Sequence, residues 1–147
     1  MDMRLEVVVL PVADIDRAKS FYGKLGFRED MDYADDDGYR VVQFTPPGSG
    51  ASVIFGTGIP MTASPVQDIL LVVRDIEEAR AALVKGGAEV SEIFHDSSGI
   101  FHHSATEYLV AGLQPQRRSY GSYASFSDPD GNNWVLQEVT TRLPGHT

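Results

Sequence analysis

Apolar positions along the chain fall into short runs, and two of these runs lead into the same phrase. Leu5-Glu6-Val7-Val8-Val9-Leu10 is β-branched and mostly apolar, the pattern of a buried strand. Asp14 follows, a residue suited to cap a helix. Ala18, Phe21, Tyr22 and Leu25 then recur at three- and four-residue spacing and give that helix one apolar face, and Gly26 stops it. Phe27 to Tyr33, Tyr39 to Thr45 and Ala51 to Gly56 read as strands. They are separated by the turns Asp35-Asp36-Asp37-Gly38 and Pro46-Pro47-Gly48-Ser49-Gly50. The first part of the chain is therefore predicted to be β-α-β-β-β.

The order then restarts. Gln67 to Val73 is a second apolar run. Asp75 with Glu78 has the spacing of a capping box, Ile76, Ala79, Leu83 and Val84 form the apolar stripe, and Gly86-Gly87 ends the helix. The frame Val-x-Asp-Ile-acid-x-Ala, at Val12 to Ala18, returns at Val73 to Ala79, 61 residues later. Such self-similarity marks two copies of one structural unit. The modules are residues 1–57 and 66–147 of a single domain, joined by a Gly- and Pro-bearing linker at 58–65, and the site is expected between them.

Beyond the second helix, Ala88 to Phe94, Tyr123 to Ser127 and Asn133 to Thr140 read as strands, with a turn at Asp128-Pro129-Asp130-Gly131-Asn132. The copies differ in one respect. The last strand of the first module, at Val53-Ile54-Phe55, lies 39 to 41 residues past Asp14. Its counterpart, Trp134-Val135-Leu136, lies 59 to 61 past Asp75. The surplus falls in an insertion at about residues 95–122, long enough to suggest a functional loop. It carries His95, Asp96, His102, His103, Glu107, Tyr108, Arg117, Arg118 and Tyr120.

Composition narrows the function classes. The net charge of −9 argues against a nucleic-acid partner, which requires a basic face. The absence of cysteine excludes disulfides and thiolate metal sites. No apolar stretch reaches the ~20 residues that span a bilayer, and Met1-Asp2-Met3-Arg4 runs straight into a strand pattern without a secretory leader. A cytoplasmic protein with no membrane partner is expected.

The opening from Leu10 to Tyr22, ending in Lys24-Leu25-Gly26-Phe27, resembles the vicinal oxygen chelate superfamily, as does Phe126-Ser127-Asp128-Pro129-Asp130-Gly131-Asn132-Asn133-Trp134. That superfamily includes glyoxalase I, extradiol dioxygenases, fosfomycin-resistance proteins and bleomycin-binding proteins. The resemblance implies an α+β fold in which tandem βαβββ modules form a curved mixed sheet around a cavity, commonly within a homodimer.

Metal-dependent members carry His, Gln or Glu in each module's first strand and Glu in each last strand. Counting from the capping aspartates and from Gly131 carries these positions to Val7, Asp68, Val135 and either Ile54 or Phe55. Three of the four hold apolar side chains, and Asp68 alone is too few ligands for a divalent ion. No cofactor is expected, with a divalent metal as the alternative. The implied ligand-binding residues are Val7, Val9, Ile54, Phe55, Asp68, Leu70 and Val135, with Tyr108 from the insertion. An apolar cavity holding one carboxylate suits a small organic ligand with a hydrophobic body and one cationic or hydrogen-bonding group, and burial would raise the Asp68 pKa; the alternative places Asp68 solvated at a strand end with no ligand role.

The leading reading is a metal-independent small-molecule binder of the glyoxalase/bleomycin-resistance type. The alternative is an enzyme of the same fold, a lyase, isomerase or dioxygenase-like protein. It would work either through His102, His103 and Asp68 as catalytic candidates or through a metal site shifted onto His95, His102, His103, Asp96 and Glu107. Arg117-Arg118 could clamp a substrate anion. The Asp128 to Asn132 turn reads as structural, and Trp134 as a packing residue rather than a ligand platform.

Overall fold

The computed structural model describes residues 1–99, 101–103 and 106–144. Its elements follow the repeat. The first unit holds β1 (Val7–Val9), α1 (Ile15–Lys24), β2 (Arg28–Ala34), β3 (Arg40–Thr45) and β4 (Ser52–Thr57). The second holds β5 (Ile69–Val73), α2 (Ile76–Lys85), β6 (Phe94–Asp96), a 3₁₀ turn (Thr106–Tyr108), β7 (Leu109–Ala111), β8 (Ser122–Ser127) and β9 (Asn133–Glu138). The described residues divide into 1–67 with 128–132, and 68–127 with 133–144. Among the described residues no helix is long and apolar enough to cross a membrane.

Both helices are made by the same local chemistry. Asp14 accepts the backbone N–H of Arg17 at 3.0 Å, and Asp75 that of Glu78 at 3.1 Å, each meeting one of the donors a helix start leaves open. Both helices end in a six-to-one bond, Phe27 N–H to Tyr22 O and Ala88 N–H to Leu83 O. Gly26 at φ +89° and Gly87 at φ +98° supply the left-handed residue this ending requires. The apolar faces emerge as Ala18 and Tyr22 in α1, and as Ile76 and Leu83 in α2. Val84, expected in the second stripe, is exposed instead.

The two sheets share an order. The first runs β1-β4-β3-β2 and the second β5-β9-β8-β6, extended at its edge by β7. In each, the strand before the helix pairs in parallel with the last strand: Val9 opposite Ile54, and Leu70 opposite Val135. Val9 and Leu70 each lie five residues before a capping aspartate, so the register makes Ile54, not Phe55, the counterpart of Val135. Phe55 is fully buried in an aromatic cluster with Tyr22 and Phe44, and is thereby unavailable to line a cavity. Each such ring stabilises its unit by about 1.5–3 kcal/mol of burial.

Two sequence expectations change. Ala88 to Phe94 is a strand only from Phe94. Upstream, Arg80 occupies the carbonyls of Val90 and Ser91, and the Ser91 hydroxyl accepts the Ser125 N–H, so a regular ladder cannot form there. The insertion is in part a hairpin: β7 pairs antiparallel with β6, Asp96 opposite Leu109.

The Asp128 to Asn132 turn belongs to the first unit and fastens it. Asp128 Oδ1 accepts the N–H groups of Asp130 and Asn132, and Oδ2 accepts the buried Tyr22 hydroxyl at 2.7 Å. Fully buried Asn132 donates to Pro11 O and accepts from Val66 N–H. Asp130 accepts from Ala13 N–H and Arg17 at the start of α1. In the second unit Trp134 is 1% exposed and stacks on Phe126, consistent with packing.

Candidate functional site

Strand alternation builds one wall of a cleft in the second unit. Residues two apart on a strand share a face, so Val135 and Gln137 of β9 point the same way. Leu70 on β5 lies opposite Val135, and Tyr123 on β8 opposite Gln137. These four line a cleft of about 490 Å³ together with Asp68, Tyr120 and the loop residues Phe101, His102 and His103. The loop that bears the histidines joins β6 to the 3₁₀ turn, within the insertion.

Aromatic rings make much of this boundary. Tyr123 stacks on Phe94 with centroids 5.8 Å apart, and the His102 ring lies 5.3 Å from Tyr123 and 5.2 Å edge-on to Phe94. Phe101, itself 55% exposed, stands 6.1 Å from Tyr120. The polar edge is held in place. Gln137 Nε2 donates to Tyr120 O and to the Tyr123 hydroxyl, which also accepts the His102 N–H. Burial pushes the Tyr123 hydroxyl pKa up, so the group stays neutral at physiological pH.

Among the described residues three non-glycine residues have left-handed backbone, and two of them, Asp68 at φ +59° and Tyr120 at φ +72°, line this cleft. Aspartate visits that region readily, whereas tyrosine does so at a cost, and such strain gathers where the surroundings hold a residue for use. Tyr120 is fixed on both sides, its N–H donating to Glu138 O and its hydroxyl accepting from Leu143 N–H.

His103 is the most firmly placed polar group. Its Nδ1 lies 2.7 Å from Asp96 Oδ2 and 3.1 Å from Ser98 Oγ, and its backbone N–H donates to the same carboxylate at 2.8 Å. The ring stacks on Tyr108 at 4.5 Å. The Asp96 side chain has no exposed surface. Burial alone would push its carboxyl pKa up, but hydrogen bonds from Ser98 and His103 outweigh that and hold it well below the usual carboxylate range.

The sequence-derived site divides accordingly. Asp68, Leu70, Val135, His102 and His103 come together. Val7, Val9 and Ile54 lie half-buried on the sheet of the first unit, outside this cleft. Tyr108 supports His103 rather than lining the cleft. Asp68 is exposed and stands just before β5, which matches the solvated strand-end placement rather than the buried one. Gln137 and Phe101 were not singled out in the sequence, although alternation from Val135 reaches Gln137. Arg117 is committed to buried Glu138 through two bonds of 3.0 and 2.9 Å, so it is not an anion clamp. His95 is buried with Nδ1 on Gly112 O, and among the described residues no three His, Asp or Glu side chains gather as a metal site.

A family model for the Glyoxalase/Bleomycin resistance protein/Dioxygenase superfamily matches residues 4–136. Among solved structures, the chain is similar to TnmS3, an antibiotic binding protein from Streptomyces sp. CB03234. Identity is 25%, with 94% of this chain and 97% of that one covered and a TM-score of 0.65. It is also similar to a glyoxalase/bleomycin resistance protein from the same strain (26%, covering 92% and 100%, TM-score 0.62). A member of the superfamily from Sphaerobacter thermophilus DSM 20745 matches comparably (26%, covering 93% and 98%, TM-score 0.65). No curated protein matches the chain.

Proposed function

Since the chain belongs to the glyoxalase/bleomycin resistance protein/dioxygenase superfamily, we propose that it is a small-molecule binding protein whose ligand occupies the cleft of the second unit. The cleft itself carries this reading. It joins apolar and aromatic walls, Leu70, Val135, Phe101, Tyr120 and Tyr123, to a few fixed polar groups, at a volume suited to a small organic molecule. Flat rings favour a planar, partly aromatic ligand that stacks, and Asp68 offers its carboxylate to a donor or cation. The similarity to an antibiotic binding protein supports an organic ligand of this kind.

Binding is proposed to need no metal. Val7, Ile54 and Val135 stand where metal-dependent relatives place ligating side chains, and none of the three can coordinate an ion. The protein is further proposed to work as a homodimer, which light scattering coupled to gel filtration would report as twice the chain mass.

The test is a thermal-shift screen of planar aromatic compounds on protein stripped with EDTA. A ligand present at 100 times its Kd stabilises the folded state by about 2.7 kcal/mol, a readily measured rise in Tm. Leu70→Trp, at a half-exposed position, should fill the cleft and abolish the shift while leaving the free protein's Tm nearly unchanged. Stabilisation that appears only after a divalent cation is restored would overturn the metal-free reading.

A further inference from the structure

We propose that His103, held by Asp96 and Ser98, is the proton acceptor of the cleft, and that the ligand is a planar molecule with an ionisable phenolic or enolic hydroxyl. The inference rests on the binding reading above and adds the ligand's chemical class.

The hydrogen-bond network assigns the imidazole tautomer. The Ser98 hydroxyl donates to Asp96 Oδ1 at 2.6 Å, and its backbone N–H donates to the same oxygen at 2.8 Å. With its proton spent on Asp96, Ser98 Oγ can only accept from His103 Nδ1. Asp96 Oδ2, an ionised carboxylate, likewise only accepts. Nδ1 therefore carries the hydrogen, and the lone pair of the neutral ring resides on Nε2. Among the described residues Nε2 has no hydrogen-bond partner, while the ring is about half exposed and lines the cleft.

A buried carboxylate behind Nδ1, an open Nε2 in front and a stacked tyrosine at the side form an acid–base pair of defined orientation. The step is a simple transfer. The hydroxyl O–H of the ligand breaks, its proton goes to Nε2, and its electron pair stays on the ligand oxygen. The product is an anionic ligand against an imidazolium, whose charge Asp96 balances. The charged and titratable groups around the ring are Asp96 on β6, Tyr108 on the 3₁₀ turn, and Asp68, His102, Tyr120 and Tyr123 of the cleft. Asp96 and Ser98 act as positioning residues. Of the three, only His103 would touch the ligand.

The probe is 7-hydroxycoumarin, whose neutral and anionic forms differ in excitation spectrum, with 7-methoxycoumarin as the analogue that has no proton to give. Both are titrated at neutral pH into the full chain in EDTA. The expected result is that the hydroxy compound binds about tenfold more tightly than the methoxy compound. The bound fraction should also be ionised roughly threefold more than in buffer at the same pH. His103→Gln should abolish both differences, so that the two coumarins bind with equal affinity and the bound hydroxy compound is ionised no more than in buffer. Asp96→Asn should lower the ionised fraction, and Ser98→Ala, the milder variant, should lower it in the same direction if Asp96→Asn does not fold. Equal affinity of the two coumarins, or an ionised fraction unmoved by His103→Gln, overturns the inference and leaves the binding reading intact. Failure of both coumarins while other aromatics bind overturns it as well. Failure of every aromatic compound overturns both.

Discussion

Single residues in this protein carry well-defined electrostatic duties. Hydrogen bonds from Thr45 and then Arg28 lower the Asp30 pKa to about 2, and those of Arg40 and then Lys19 hold Asp32 still lower. A carboxyl depressed in the folded state contributes stability that is present above its unfolded pKa of about 4 and is lost as pH falls through the folded value. Melting curves should therefore show Tm falling between about pH 4 and pH 2. Asp30→Asn should melt lower than the parent at pH 7 and converge on it near pH 2, and a constant difference across that range would contradict the assignment. Tyr22→Phe removes the buried hydroxyl that donates to Asp128 and should cost about 1–3 kcal/mol in urea unfolding. Asp68→Asn keeps a side chain that tolerates the left-handed backbone, so it should change stability by less than about 0.5 kcal/mol while removing the carboxylate from the cleft.

At the scale of elements, the repeat was legible because local chemistry wrote it twice. Asp14 and Asp75 cap, Gly26 and Gly87 terminate, and the apolar spacing between them names the buried face. Strand existence was equally plain, but register was not: only the pairing of Val9 with Ile54 identifies the counterpart of Val135. The segment at 88–93 reads as strand by composition, yet tertiary bonds from Arg80 and Ser125 take its polar groups. The insertion was recognisable by length and by its histidines. The partnership of His103 with Asp96 was not, because it depends on how the loop folds back over β6. Likewise Arg117, read as a substrate clamp, pairs with Glu138, which in turn accepts the Ile76 N–H at the start of α2. Arg117→Ala leaves that carboxylate buried and unpaired, so Tm should drop, and adding Glu138→Gln should restore part of the loss. Additive losses in the double variant would show that the pair does not act as a unit.

The whole molecule is a superfamily member whose repeats share one plan and differ in one insertion, and the candidate site lies where that insertion adds a loop to the second sheet. Its central claim is that this cleft binds a small organic ligand without metal. Titration of isotope-labelled protein with 7-hydroxycoumarin in EDTA, followed by amide NMR, tests it most directly. The account predicts saturable shifts concentrated at Asp68, Leu70, His102, His103, Tyr120 and Gln137, with the amides of β1 to β4 unmoved. Saturable shifts centred on Val7, Val9 and Ile54, or shifts that require an added divalent cation, would contradict it.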